Sequence, residues 1–538
     1  MPQRTKCANR HISVIASPSN RNHTDLPLSQ SPAEQETRMF RKTLVAGLLA
    51  TVTAAPASAQ GIGGIEAELA AMRAKIEQLE AEVTALKAAQ AATPAAAPPA
   101  TAQAQAAPVA TPKDAPESPV WRGAPQFVGK DGFSFKPRGF VQFDAGTVST
   151  PGPEREGIVG GLNYNNLGWN SRSRRIVFGA QGTLPGGFAY NAEFNFTQGQ
   201  VDYEDIIITY QRPRSPWLVT IGNFFPLSGL DSVTSSRVTT MLERSANTET
   251  FGLNRRLGVS LAYADPKNDS YMIAAGIFGQ EINNTNAART GWQASARALW
   301  SPKLGDDTRL HLGANFQHRV AQQDAQNVQY RVRPMTQLTD QRFIDTAAIA
   351  ADGDDIFGVE LAAIHGPLHA VAEAQRVWVR GFRPGHAFGP NDGAGNGLFY
   401  SADPVFGSAY GEIGFYLTGE SRGYRGGRWD RVKVRRPFDK GGWGALQANA
   451  RIEYVDLTDR VAGTSLLAPD FINGGRQLGY AASLIWNPTD YLRFMAQYTH
   501  LSIEGGPRAA TVVAGSAEPL DERGYDVDTF GLRAQVEF

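Results

Sequence analysis

The chain has 538 residues, with 52 basic and 52 acidic side chains and one cysteine, so its formal net charge is zero. This balance argues against a generally basic nucleic-acid-binding protein, and a single cysteine excludes intramolecular disulfides and cysteine-based zinc sites. Outside an N-terminal targeting segment no uncharged apolar run is long enough for a membrane-spanning helix. A membrane β-barrel stays open, because its strands need apolar side chains on one face only.

The N-terminal region has the pattern of an export signal. Residues 39–59 combine a short basic head, an apolar stretch and an Ala-Ser-Ala ending, which predicts a secretory signal peptide cleaved after Ala59. A short buried helix is the alternative. We interpret residues 1–38 as a misassigned upstream extension that also holds the only cysteine, Cys7. The mature protein would then have no thiol, which suits an oxidising periplasm.

Residues 60–90 predict a periplasmic coiled coil. Apolar side chains recur at alternating steps of three and four residues from Ile62 to Leu86, which is a heptad pattern. The flanking positions pair opposite charges, such as Glu68 with Arg73, as self-association requires. An isolated amphipathic helix is the alternative. Residues 91–120, rich in alanine and proline, predict an extended linker.

Residues 121–538 predict a 16-stranded antiparallel transmembrane β-barrel. Apolar and polar side chains alternate over segments of membrane-strand length, for example over 187–197 and 443–456. Aromatic residues cluster at the segment ends, and the polar face is charged and small, which favours a wet interior over the dry core of a soluble β-sandwich. Sixteen candidate segments can be counted, and a barrel of this size leaves an aqueous channel.

The connections predict two different rims. Tight turns such as 184–187 and 366–367 would lie on one rim. The long stretches would lie on the other, and they are 145–170, 319–355, 380–405, 418–442 and 503–525. The long segment 223–254 can either fold inward and narrow the pore or remain an external loop.

The cations of this region are mostly arginine, with 35 Arg against 6 Lys from Trp121 onward. Arginine binds oxyanions in a planar, bidentate way, and rings of positive charge make a pore favour anions. If Ile176 and Phe178 face lipid, strand alternation places Arg175 inside and Arg174 at the rim. Pairing of the arginines with acidic neighbours, which would leave little selectivity, is the alternative.

No catalytic motif, nucleotide-binding loop or histidine-based metal motif is present, so the sequence predicts neither an enzyme nor a bound metal or cofactor. The region 130–538 instead resembles the phosphate-selective porin O/P family of Gram-negative outer membranes. The matching stretches, in order, are Ser173-Arg174-Arg175-Ile176, Tyr203-Glu204-Asp205-Ile206, Gly222-Asn223-Phe224, Thr234-Ser235-Ser236, Leu242-Glu243-Arg244, Arg255-Arg256-Leu257-Gly258, Leu417-Thr418-Gly419-Glu420-Ser421-Arg422 and Gly441-Gly442-Trp443-Gly444.

The resemblance implies a homotrimer of barrels, in which arginines lead anions to a constriction. By motif, the residues carried over to an anion-binding constriction are Arg174, Arg175, Asp205, Ser235, Ser236 and Arg244. Two positions depart from the family pattern. Phe225 stands where the family often has a constriction lysine, and Phe140 stands where it often has an arginine. Losing fixed positive charge should weaken anion trapping.

The sequence therefore predicts an outer-membrane channel for passive diffusion of small anions, with phosphate or polyphosphate as candidates. The expected partners are further copies of the chain, outer-membrane lipid and lipopolysaccharide, with peptidoglycan as a candidate partner of the coiled coil; nucleic acid is not expected. A general or weakly selective porin, and a structural protein that tethers the envelope through the coiled coil, are the alternatives.

Overall fold

The chain divides into two compact units, residues 1–111 and 112–538. The computed structural model describes residues 78, 81, 120–121, 123–151, 167–197, 199–280, 282, 291–322, 326–382, 403–459 and 472–538. The predicted upstream extension and signal peptide, and nearly all of the predicted coiled coil and linker, lie outside the described residues. Among the residues described, no helix is long and apolar enough to cross a membrane.

Sixteen antiparallel strands form one closed barrel, as the alternation predicted. The barrel closes because the last strand pairs with the first, for example through Leu532 and Ala145. In chain order, β1 to β16 are Ser134–Val148, Gly168–Leu184, Phe188–Asn195, Asp202–Tyr210, Trp217–Phe224, Arg256–Ala264, Tyr271–Phe278, Gln293–Trp300, Thr308–Val320, Gly353–His365, Leu368–Arg380, Val405–Tyr416, Ala445–Asp459, Ile472–Thr489, Leu492–Glu504 and Gly524–Glu537. Two short strands, Val120–Trp121 and Pro125–Val128, precede them and join the start of β1.

The barrel is apolar outside and polar inside, which is the reverse of a soluble β-protein. Outward side chains such as Ile273 and Ile277 are 62% and 61% exposed, and aromatic residues such as Trp217 and Trp300 lie at strand ends. Inward positions instead carry buried polar groups, among them Gln142, Glu360, Arg451, Gln497 and Arg533. Because exposed apolar strands require a hydrocarbon environment, the alternative of a soluble sandwich is wrong.

The connections lie on two rims. The turn rim carries the start of β1, the end of β16 and short turns such as 185–187 and 366–367. The loop rim carries 225–255, 505–523 and the described parts of the connections 149–167, 321–352 and 381–404. One prediction is wrong here. The segment 418–442 belongs to the connection 417–444 between β12 and β13, and strand direction places that connection on the turn rim despite its length.

Three long connections fold into the lumen. Loop 225–255 and loop 321–352 enter from the loop rim, and loop 417–444 enters from the turn rim, where Trp429 packs against Leu230. Apolar side chains of loop 321–352, such as Ile344 and Ile349, pack in one cluster with inward residues such as Val455. The smaller elements are the helices α1 (Leu230–Val233), α2 (Ala246–Phe251) and α3 (Ala509–Val512), the 3-10 turns Lys130–Gly132 and Phe438–Lys440, and the strand pairs Asn327–Val328 with Ile349–Ala350, Arg331–Val332 with Ile344–Asp345, and Gly423–Arg425 with Arg428–Asp430.

Candidate functional site

Loop 225–255 is fixed across the lumen by acceptors on the opposite wall. The carboxylate of Glu373 on β11 accepts hydrogen bonds from the backbone N–H groups of Leu230 (2.9 Å) and Asp231 (2.8 Å). Gln497 on β15 accepts one from the backbone N–H of Leu242 at 2.7 Å. A loop without strand partners must satisfy its backbone groups elsewhere, and these inward polar side chains do so. The segment therefore narrows the pore rather than lying outside the barrel.

Arginines on the wall hold the carbonyl groups of the same loop. Arg493 donates to the carbonyl oxygens of Arg237, at 2.8 Å, and Thr239. Arg533 on β16 donates to the carbonyl oxygen of Leu242 at 2.6 Å, and its guanidinium forms two 2.7 Å hydrogen bonds with the carboxylate of Asp144 on β1. The wall thus supplies both hydrogen-bond acceptors and hydrogen-bond donors to loop 225–255.

Replacing Arg533 by methionine should lower the temperature at which the folded barrel unfolds in a heat-modifiability gel assay. The Arg533 and Asp144 side chains are 0% and 1% exposed, so the change leaves a buried carboxylate without its partner, which costs about 3–5 kcal/mol. Arg476→Gln is the control, because the side chains of Arg476 and its partner Asp456 are 35% and 34% exposed, and an ion pair so accessible to water contributes at most about 1 kcal/mol. Equal shifts in the two variants would contradict the buried-pair argument.

A cavity of about 760 Å³ lies on the loop-rim side of loop 225–255, and we call it the vestibule. Its wall carries eight arginines and only four carboxylates among the described residues. The arginines are Arg174, Arg175, Arg244, Arg255, Arg256, Arg331, Arg333 and Arg342, and the carboxylates are Asp202, Glu204, Glu243 and Glu249. The described wall of the vestibule therefore carries an excess of positively charged side chains.

Arg174 and Arg175 both line the vestibule, so the prediction that Arg174 lies at the rim is wrong. The reason is a break in the pairing of β2 with β1: Arg175 is opposite Gln142 and Ser173 is opposite Phe143, so Arg174 is the extra residue of a β-bulge. A bulge allows two consecutive side chains to point the same way. Arg174 makes a bidentate contact with Glu243 (2.7 and 2.8 Å), and Arg175 lies 4.0 Å from the same carboxylate.

Glu243 stays ionised in this setting. Burial acts to raise its pKa, but Arg174, followed by Arg175 and Arg533, holds the pKa of the Glu243 carboxyl well below its usual range.

A depressed pKa contributes stability that is complete above the unfolded-state pKa and is lost as the pH falls toward the folded-state value. We therefore expect the difference in unfolding temperature between the wild type and Glu243→Gln to be constant from about pH 8 to 5 and to shrink below about pH 4. A difference that already disappears at pH 5 would contradict this.

Arg244 lines the vestibule, and backbone carbonyl groups hold its guanidinium. Its guanidinium donates to the carbonyl oxygens of Thr234 (2.7 Å) and Asp231 (3.3 Å), and no carboxylate of the described residues lies within ion-pair distance. Burial lowers its pKa, Asp231 opposes this shift and Arg255 adds to it. The Arg244 guanidinium is therefore held by carbonyl oxygens rather than by an ion pair.

The two phenylalanines that depart from the family pattern carry arginines on their rings. The guanidinium carbons of Arg244 and Arg255 lie 4.8 and 4.3 Å from the ring centroid of Phe225, and that of Arg237 lies 4.3 Å from Phe140. At both positions the lumen therefore keeps a positive charge. The charge belongs to arginines stacked on the rings and not to the wall residue itself.

The other predicted residues are placed differently. Ser236 lines the vestibule, whereas Ser235 does not and its hydroxyl accepts a hydrogen bond from the backbone N–H of Arg237 at 3.4 Å. Asp205 and its neighbour Glu204 both contact Arg255, beside a break in the pairing of β4 with β3. Asp205 therefore holds a vestibule arginine rather than lining the vestibule itself.

The predicted constriction left out five of the eight vestibule arginines. Arg255 is the last residue of loop 225–255, Arg256 is the first residue of β6, and Arg331, Arg333 and Arg342 come from loop 321–352. The signal was available as three arginines within twelve residues of a loop. These three arginines could not be assigned to the pore from the sequence, because nothing in the local sequence shows that loop 321–352 enters the barrel.

A closed, outwardly apolar barrel with a polar lumen and an arginine-rich vestibule defines a membrane channel. The sequence model of a family described as "Phosphate-selective porin O and P" matches residues 160–538, and the chain belongs to this family. Family membership points to a channel rather than an enzyme.

The chain is also similar to individual proteins. An uncharacterized protein of Caulobacter vibrioides is 33% identical over 89% of this chain and 90% of its own length. Porin O of Pseudomonas aeruginosa is 23% identical over 60% of this chain and 75% of its own length. Among solved structures, Pseudomonas putida OprB (TM-score 0.44, 10% identity, 76% of this chain and 94% of that chain) and an anion-selective porin from Comamonas acidovorans (TM-score 0.41, 9% identity, 76% and 100%) are similar.

Proposed function

We propose that the protein is an outer-membrane channel for passive diffusion of small anions. The observation that carries this proposal is the vestibule, where arginines outnumber carboxylates and Arg244 has no carboxylate partner among the described residues. Fixed guanidinium groups in a narrow passage attract anions and repel cations. In the expected orientation the loop rim faces the exterior and the turn rim faces the periplasm.

Two features support weak rather than tight phosphate binding. Arg174 is already bound by Glu243, so a passing anion has to compete with a tethered carboxylate. The constriction position that is often lysine in the family is Phe225, which supplies no charge of its own. Phosphate therefore serves as the test anion, and we expect it to pass without being trapped for long.

The aromatic side chains of the lumen do not favour a sugar channel. Saccharides need open aromatic faces, but a guanidinium lies over each of several lumen rings. The pairs are Arg237 over Phe140, Arg244 and Arg255 over Phe225, Arg309 over Tyr424, Arg422 over Trp429 and Arg451 over Tyr410. The signal peptide at 39–59, the coiled coil at 60–90 and the homotrimer belong to the same proposal, in which the mature chain is exported and self-associates in the outer membrane.

The proposal is tested by reconstituting the mature chain in planar bilayers under a KCl gradient. We expect the reversal potential to have the sign of chloride permeation, and millimolar phosphate to reduce the chloride current only partly. A reversal potential near zero, or one of the opposite sign, would leave a general or cation-selective porin and overturn the anion assignment. Deleting residues 60–90 tests the envelope-tethering alternative, which requires envelope detachment with unchanged conductance.

A further inference from the structure

A second, smaller cavity lies on the turn-rim side of loop 225–255. It is lined by residues of this loop, of loop 417–444 and of β13, β15 and β16. Ser236 lines the vestibule, whereas the next residue, Arg237, lines this second cavity. Loop 225–255 therefore separates the second cavity from the vestibule. An ion bound in the second cavity would be distinct from an ion in the vestibule.

Two arginines of this cavity are buried without a counterion. Arg422 and Arg493 are each 6% exposed, and neither forms an ion pair with any described residue. Both use part of the guanidinium to hold loop 225–255: Arg422 donates to the carbonyl oxygen of Val238 at 2.6 Å, and Arg493 donates to that of Arg237 at 2.8 Å. In each residue the buried Nε atom has no hydrogen-bond partner.

The carboxylates that line the cavity are committed to other groups. Glu537 contacts Arg431 and lies 3.8 Å from Arg237. Asp490 accepts a hydrogen bond from the backbone N–H of Val434 at 2.9 Å, and Asp430 accepts one from that of Arg431 at 2.8 Å. The Arg422 guanidinium also interacts with the hydroxyl of Tyr416, and its guanidinium carbon lies 5.2 Å from the ring of Trp429; neither group is an anion at neutral pH.

Two buried like charges without a counterion are costly, and in proteins such groups are paired. The cavity beside them measures about 20 Å³, and on this measure one water-sized particle needs about 10–15 Å³. The space therefore suits a single small anion better than a tetrahedral oxyanion, which would require side chains to move.

We propose that Arg422 and Arg493 bind a resident monovalent inorganic anion of chloride size between loop 225–255 and loop 417–444. The anion acts as the missing counterion of both guanidinium groups. It ties together the two connections that enter the lumen from opposite rims. The site is structural, so it does not rest on the proposed conduction of anions through the vestibule.

The direct test is anomalous diffraction from crystals of the mature chain grown with bromide in place of chloride. We expect a bromide peak within hydrogen-bonding reach of both guanidinium groups. Bromide peaks elsewhere in the lumen, with none between Arg422 and Arg493, would overturn the proposal.

A solution test uses the unfolding temperature in sodium chloride against sodium gluconate at equal ionic strength, because an anion that binds only the folded state stabilises it. Chloride should raise the unfolding temperature of the wild type, and Arg422→Gln or Arg493→Gln should remove at least half of that rise. Arg431→Gln is the matched control, since Arg431 lines the same cavity but contacts Glu537. Loss of the chloride effect in Arg431→Gln as well would overturn the assignment.

The outcomes separate this site from the proposed function. Should Arg493→Gln fail to fold, Arg422→Gln supports the same comparison, because Arg422 lies in a loop and not in a strand. A cation-selective barrel that still binds bromide at the two arginines would overturn the anion channel and leave the site standing. An anion-selective barrel without bromide at the two arginines would support the anion channel and overturn the structural anion site.

Discussion

Replacing Glu243 by glutamine should lower the phosphate concentration that half-blocks the chloride current by about tenfold, which corresponds to about 1.4 kcal/mol. Glu243 occupies Arg174 through two hydrogen bonds of 2.7 and 2.8 Å and lies 4.0 Å from Arg175. The amide removes the negative charge while keeping nearly the same shape, so both guanidinium groups become available to an anion. The measurement is the chloride current through single channels during titration with phosphate.

Glu204→Gln is the matched control for this experiment. Glu204 lines the same vestibule and contacts Arg255, but that arginine keeps Asp205 as a partner when Glu204 is neutralised. The control changes the net charge of the vestibule equally and frees no arginine. If Glu204→Gln strengthened the phosphate block as much as Glu243→Gln, the general field of the vestibule would explain the result and direct competition by Glu243 would be wrong.

Replacing Arg244 by glutamine should reduce the chloride-over-potassium permeability ratio by about fivefold. Arg244 forms no ion pair with a carboxylate among the described residues, and more distant carboxylates such as Asp231 offset its charge only in part, so the remaining field acts on passing ions. A unit charge a few ångströms from an ion contributes several kcal/mol at an effective dielectric constant of about 20, and the water-filled vestibule reduces this to about 1 kcal/mol. Reversal potentials in a KCl gradient measure the ratio.

Arg244→Lys separates charge from geometry in the same assay. Lysine keeps the positive charge, so the permeability ratio should remain close to the wild-type value. It loses the planar, bidentate donor pair, so phosphate block should weaken. An unchanged permeability ratio in Arg244→Gln would show that Arg244 does not face the permeating ions.

The barrel was predictable because each strand reports its own environment. The alternation of Leu446 to Tyr454 is visible within one segment, and the same holds for every strand that faces lipid on one side and water on the other. The rim of segment 418–442 was predicted wrongly because length was taken as a sign of the loop rim. Counting strand directions places it on the turn rim.

The site was only partly predictable. The family motifs predicted Arg174, Arg175, Ser236 and Arg244, all of which line the vestibule. Strand alternation gave the wrong direction for the Arg174 side chain, because a β-bulge interrupts the two-residue period. The docking of loop 225–255 depends on acceptors such as Glu373, far away in the sequence, and no local pattern encodes that contact. The sequence therefore predicted the site arginines Arg174 and Arg175 but not that the Glu243 carboxylate lies against them.

The pairing of the last strand with the first has a consequence for biogenesis. Residues of both strands also hold loop 225–255: Gln142 on β1 donates to the carbonyl oxygen of Ser236 at 3.2 Å, and Gln535 on β16 donates to that of Arg237 at 3.0 Å. These anchors come together only when the C-terminal strand has been synthesised and delivered. Closure of the barrel and docking of loop 225–255 in the lumen are therefore coupled. A chain that is released before β16 has been made should neither close its barrel nor fix this loop in place.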